Sequence, residues 1–135
     1  MVNRIFVNLA VTNLPRSVEF YTGLGFTMEP RFTDDTAACI VVSDQIFVML
    51  VTHEKFKSFT PKPICNSTLE NEMLLCLSFA SREKVDGIVE KAISSGGTIF
   101  REPQNYGFMY SRAFEDLDGH VWELMFMEPS ARSDQ

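Results

Sequence analysis

Along this chain of 135 residues the same order of elements, strand, helix and three strands, is written twice. Laying Val7–Val11 on Leu75–Phe79 gives an offset of 68 residues, about half the chain. At that offset Phe6 pairs with Leu74, Asn8 with Cys76 and Ala10 with Ser78. Self-similarity over half a chain constrains architecture more than any single motif. Each copy can bury its helix against one sheet face, which leaves the other faces free to close on one another. The predicted fold is α+β: two tandem βαβββ modules forming a curved, mostly antiparallel sheet around a cleft.

Module one is expected over about residues 4–52. Ile5–Val11 alternates, with Ile5, Val7, Leu9 and Val11 on one face and Phe6, Asn8 and Ala10 on the other. A mid-strand Asn opposite an aliphatic row puts that second face against a polar or wet space. Thr12-Asn13 caps a helix with Pro15 in its first turn, and Leu14, Val18, Tyr21 and Leu24 recur at helical spacing. Extended structure follows at 26–28, 37–42 and 46–52. The stretch 53–71 shows no sustained helical or strand period, and Pro61-Lys62-Pro63 bars a central strand. It is predicted to be a linker or flap. Module two, about 72–127, restarts the pattern with a strand at 73–79. Ala80-Ser81 supplies the cap of a helix over 83–95 that carries Val85, Ile88, Val89, Ala92 and Ile93, and strands follow at 98–101, 112–115 and 121–127. Residues 128–135 are left as a tail.

Composition excludes several classes of function. Twelve basic against eighteen acidic residues give a net charge of −6, the wrong sign for a duplex-binding surface, so no nucleic acid is expected. No apolar run approaches the ~18–20 residues of a membrane span, and no secretory leader pattern opens the chain. Cys39, Cys65 and Cys76 are odd in number and follow no metal-ligand spacing. They are predicted to be free, buried, structural thiols, and the expected location is cytoplasmic. Twelve Phe and seven Met exceed the needs of a small core, so some should line a cleft.

Three stretches carry a family likeness. Val7-Asn8-Leu9-Ala10-Val11-Thr12-Asn13-Leu14-Pro15-Arg16-Ser17, with Phe20-Tyr21 and Leu24-Gly25-Phe26, forms the first. Ala92-Ile93-Ser94-Ser95-Gly96-Gly97 is the second, and Asp116-Leu117-Asp118-Gly119-His120-Val121-Trp122-Glu123-Leu124 the third. In these the chain resembles the vicinal oxygen chelate superfamily of glyoxalases, bleomycin-resistance proteins and extradiol dioxygenases. The resemblance spans about residues 4–127. It implies a homodimer, and in the family's enzymes a divalent metal held by one His or Glu from each of four strands, acting as a Lewis acid.

Carried over one by one, the family's ligand positions fall on Phe6, Met49, Leu74 and Glu123. Phe and Leu have no donor atom, and a thioether suits a hard cation poorly. No Mg, Mn, Zn or Ni site is therefore expected at these positions, and no cofactor. His53 at the start of the flap and His120 in the Asp-Gly turn are expected to be solvated or turn residues.

Glu123 has two readings. Among apolar neighbours it can serve as a general base or as an anchor for a cation. It can equally be paired with Arg112 or Arg101 across strands. If the alternation holds, Phe6, Asn8, Phe47, Met49, Leu74, Cys76 and Glu123 face the cleft, an apolar pocket with few polar points. The segment Tyr106–Arg112 adds Phe108, Tyr110 and Arg112. It either covers the cleft mouth, meets a second subunit, or packs as a plain hairpin. The expected function is metal-free binding of a small neutral or cationic molecule. The alternative is a glyoxalase-like lyase, isomerase or dioxygenase using Glu123.

Overall fold

A computed structural model describes residues 1–129 of the chain. Of the tail expected at 128–135, residues 130–135 lie outside the described residues. The element order is β1 (Ile5–Val11), α1 (Leu14–Gly23), β2 (Thr27–Glu29), a single turn of 3-10 helix (Pro30–Phe32), β3 (Ala37–Val41) and β4 (Ile46–Thr52). It continues with α2 (His53–Lys57), β5 (Leu74–Ser78), α3 (Arg82–Ser94), β6 (Thr98–Asn105), β7 (Met109–Glu115) and β8 (Val121–Met127).

The expected α+β architecture of two βαβββ modules is present. Its strands form two four-stranded mixed sheets, ordered β1-β4-β3-β2 and β5-β8-β7-β6. In each, the first and last strands of a module pair in parallel and the remaining pairs are antiparallel. The sheets do not close into a barrel.

Local chemistry starts the helices where the sequence predicts. Asn13 Oδ1 accepts from the Arg16 amide at 3.1 Å with Pro15 in the first turn, and Ser81 Oγ accepts from the Lys84 amide at 3.2 Å. Both helices lay their apolar stripes on the inner faces of the two sheets. Leu9, Val11, Phe20, Tyr21 and Leu24 share one core cluster with Val85, Val89, Phe114, Trp122 and Leu124. Burying each such side chain contributes about 1.5–3 kcal/mol. Neither α1 nor α3 covers the opposite sheet faces, and in that sense these are helix-free; the short α2 borders that of the first sheet only beside Asn8 and Ala10.

Three expectations change. The flap begins with a helix, α2, because the Thr52 hydroxyl accepts from the Lys55 amide at 3.3 Å. At five residues it is too short to show a period. β6 and β7 run longer than 98–101 and 112–115, and their ladder carries register shifts on both sides of Arg101. Bulges there hide the alternation, and Pro103 is tolerated because β6 is an edge strand. Of the three thiols only Cys39 is buried; Cys65 and Cys76 are exposed, because β5 is an edge strand and the linker lies on the surface.

Candidate functional site

Strand register sorts the candidate residues into rows on the helix-free faces. Across the first sheet Asn8 pairs with Met49 and Met49 with Cys39, while Phe6 pairs with Phe47. Across the second, Cys76 pairs with Glu123, Glu123 with Ala113, and Ala113 with Arg101. Leu74 pairs with Val121. The rows are counterparts under the duplication: Phe6 matches Leu74, and Met49 matches Glu123. The alternation predicted for β1 is seen from Phe6 to Leu9, with Phe6 and Asn8 exposed and Leu9 buried, but not at its ends, where Ile5 is exposed and Ala10 is buried with Val11.

Each row has one feature that chemistry can use. In the first sheet the Phe6 and Phe47 rings stack at 4.8 Å, and the Arg4 guanidinium sits 5.4 Å from the Phe47 centroid. In the second, Arg101 Nη2 reaches Glu123 Oε2 at 2.9 Å, each side chain 23% exposed. The same Nη2 donates to Ser111 Oγ at 3.2 Å. Arg101 Nε is buried without a partner among the described residues. The pairing of Glu123 with Arg101 is thus realised, and that with Arg112 is not. Desolvation of its sulfur pushes the neighbouring Cys76 thiol up, Glu123 adds to the push, and Arg101 opposes it.

Phe108, Tyr110 and Arg112 do not join these rows. The Tyr110 hydroxyl donates to Asp86 Oδ1 at 2.6 Å, and Arg112 Nη1 lies 3.1 Å from the same oxygen, so both turn toward α3. Arg82 stacks over the Tyr110 ring at 5.1 Å. Phe108 stays exposed at the β6–β7 turn, 6.4 Å from Tyr106.

Beside these rows a cavity of about 300 Å³ opens between β1, the residues flanking the start of β5, the β7–β8 turn and the 53–73 segment. Of the residues singled out from sequence for binding, Asn8 alone lines it. His53, Cys65 and His120 line it too. Sequence reasoning passed over this site because its walls come from four separate stretches and the linker carries no period.

The turn Asp116–Gly119 has a structural task that the sequence did not reveal. The Tyr21 hydroxyl donates to Asp116 Oδ2 at 2.5 Å and accepts from Trp122 Nε1 at 2.9 Å. Asp116 Oδ1 accepts from the amides of Asp118 and His120, both at 2.9 Å. The Thr12 amide and hydroxyl donate to Asp118 Oδ1 at 3.0 and 2.9 Å, and His120 Nε2 donates to the Ala10 carbonyl at 2.7 Å. This network ties the first module to the second. Burial holds the Tyr21 hydroxyl well above its ordinary value, with Asp116 adding to the effect. Burial also raises the Asp116 carboxyl, against the pull of His120 and its hydrogen bonds.

The residues at the family's ligand positions do not fit a divalent metal. Phe6 and Leu74 lack donors, and Glu123 is engaged by a guanidinium. Among the described residues no group of three His, Cys, Asp or Glu stands close enough to hold an ion.

Comparison with known proteins agrees with this architecture. The hypothetical protein SA1046 from S. aureus is 29% identical, covers 93% of this chain and 95% of its own, and superposes with a TM-score of 0.78. A glyoxalase-related enzyme from Fulvimarina pelagi is 19% identical over 93% of this chain and 88% of its own, with a TM-score of 0.77. The fosfomycin resistance protein FosX from Mesorhizobium loti is 16% identical over 98% and 99%, with a TM-score of 0.69. The last two likenesses show the fold alone. No curated protein matches the chain. The model of one family matches residues 3–124, nearly the whole length, and the chain belongs to that family, the Glyoxalase/Bleomycin resistance protein/Dioxygenase superfamily.

Proposed function

We propose that the protein binds a small neutral or cationic organic molecule on the helix-free sheet faces, without the family's metal. The observation that carries this is the replacement of donors by apolar side chains at Phe6 and Leu74. An aromatic stack, Phe6 on Phe47, stands where a ligand's apolar body would rest. The net charge of −6 disfavours an anion. FosX, a fosfomycin resistance protein by name, shares the fold and lends the reading support by analogy.

A second copy of the chain is the proposed partner, and the cytoplasm the proposed location. Tyr106 is 57% and Phe108 53% exposed at the β6–β7 turn, apolar area away from the Phe6–Phe47 stack that a partner would cover. Among the described residues no helix is long and apolar enough to cross a membrane.

Thermal-shift titration tests the binding. Cationic glycopeptides and small amine metabolites are expected to raise Tm, while Mn, Ni or Zn salts leave it unchanged. Stabilisation by metal alone would overturn the metal-free assignment. The second reading is a lyase, isomerase or dioxygenase, favoured by a partly exposed Glu123 carboxylate beside an exposed thiol. It requires turnover on thioester, epimerase or catechol substrates that Glu123→Gln abolishes while Tm is kept. Absence of turnover in the wild type with each metal added eliminates it.

A further inference from the structure

We infer that the cavity beneath residues 53–73, which meets the helix-free face of the first sheet only at Asn8 and Ala10 and lies away from the Phe6–Phe47 stack and the Glu123 row, is a second small-molecule site for an uncharged molecule with an apolar body and one hydrogen-bonding edge. The inference needs no role for Glu123 and stands whether or not the reading above does.

Size comes first. About 300 Å³ equals the share of roughly ten waters in the liquid, room for a ligand with about as many non-hydrogen atoms. Phe56, Ile64, Met73 and Leu75 supply apolar lining, so a polar ligand throughout would leave its groups unpaired.

Apart from exposed charges at its border, the polar lining comes from three directions. Asn8 projects from β1, His53 opens α2, and His120 sits in the β7–β8 turn. The side chains of Asn8 and His53 have no hydrogen bond among the described residues, so both can serve a ligand. His120 is oriented by its own bond: a backbone carbonyl only accepts, so Nε2 carries the proton toward Ala10 O. Nδ1 makes no hydrogen bond among the described residues. Together these groups present both donors and acceptors, which suits an amide-like edge. Lys62, Glu70 and Glu72 also border the cavity, but all three are exposed and of mixed sign. Drawing either charge inward costs desolvation, so they favour neither an anion nor a cation.

The roof is held rather than loose. Ser67 Oγ donates to the Asp118 carbonyl at 2.6 Å, fastening the segment to the β7–β8 turn. The cavity is thus built into the fold of one chain.

Amide chemical-shift mapping of the full chain with benzamide tests the site, with benzoate and benzylamine as charged comparators. Saturable shifts are expected at residues 8–10, 53–56, 64–67 and 119–121, with benzamide bound more tightly than either comparator. Asn8→Ala and His53→Ala should each weaken benzamide by about tenfold while keeping a folded spectrum, the loss of one hydrogen bond to a neutral group. Two variants guard against one of them misfolding. Shifts centred on Cys76, Ala113 and Glu123 would overturn the location. Tighter binding of a comparator, unchanged affinity in both variants, or no saturable shift with any probe would overturn the proposal.

Discussion

Arg101 Nη2 lies 2.9 Å from Glu123 Oε2, and this ion pair spans β6 and β8 over the small side chain of Ala113. A larger residue at 113 would stand between them. The pair occupies the row in which module one carries Asn8, Met49 and Cys39. The duplicated scaffold thus holds a charged pair in one half and an uncharged row in the other.

Burial raises the Cys76 thiol, and the ion pair beside it modulates that rise. Glu123 raises that thiol and Arg101 lowers it, on top of the rise from desolvation. Glu123→Gln removes a raising charge and leaves the guanidinium unopposed, so the thiolate fraction near pH 8 grows. Arg101→Gln does the reverse. Each change should alter alkylation of Cys76 by iodoacetamide by a factor of a few, reflecting about 0.5–1 kcal/mol of charge interaction at a partly exposed site. The measurement is made with Cys65→Ser in the background. Equal rates in all three proteins would show that the pair does not reach the thiol.

The hydroxyl of Tyr21 links the modules through Asp116 and Trp122. Tyr21→Phe deletes one buried hydrogen bond and leaves Trp122 Nε1 without its acceptor. The expected loss is about 2 kcal/mol, or about 8 °C in Tm. The alkaline limb of stability should change as well. The folded value of the Tyr21 hydroxyl lies above its unfolded value near 10, so the folded state keeps a proton that the unfolded chain releases. Its stabilisation is complete below pH 10 and declines as pH rises beyond it. Wild-type stability should therefore fall more steeply above pH 10 than that of Tyr21→Phe. Parallel alkaline limbs in denaturant unfolding would contradict this.

Much of this fold is legible in the sequence because its elements are amphipathic and the pattern is repeated. Phe6 to Leu9 of β1 alternates, the buried stripe of α3 recurs at Val85, Val89 and Ala92, and Asn13 and Ser81 cap their helices at the expected places. Where tertiary geometry overrides local pattern, the sequence is silent. The bulges beside Arg101 spoil the period of β6, so its pairing with Glu123 stood as one option among several. Tyr110 and Arg112 look like cleft residues until Asp86 of α3 is seen to hold both. Asp116 and Asp118 read as a turn, yet their carboxylates bond to Tyr21 and Thr12, about a hundred positions earlier.

Burial makes Asp116 an acid-side sensor. Its folded value is raised above that of an unfolded aspartate. Its contribution is therefore fully present below the ordinary carboxylate range and is lost as pH rises through the raised value. Asp116→Asn keeps an oxygen for the amides of Asp118 and His120 but cannot titrate. The stability gap between wild type and variant should accordingly move in favour of wild type as pH falls from 7 toward 4. Urea midpoints across that range measure it, and a gap that moves the other way would refute the assignment.

Gly119 permits the contact between the β7–β8 turn and the linker. Its φ of +84° is one that side-chain-bearing residues rarely adopt, and a methyl group there would stand 2.5 Å from the Ser67 carbonyl oxygen. Gly119→Ala must therefore push the Ser67–Thr68 backbone outward as well as strain the turn. A cost of about 1–3 kcal/mol is expected, the range for a residue forced into an unfavourable backbone region. The linker should suffer before the core does, because Ser67 Oγ donates to the Asp118 carbonyl beside this glycine. Limited proteolysis should cut the variant between residues 58 and 72 faster than wild type, at temperatures well below Tm. Ser67→Ala, which removes the hydrogen bond without the strain, should accelerate the same cleavage by a smaller factor. If cutting is unchanged in both variants, the segment is held over the cavity by its apolar contacts, Phe56 and Ile64 foremost, and not by the turn.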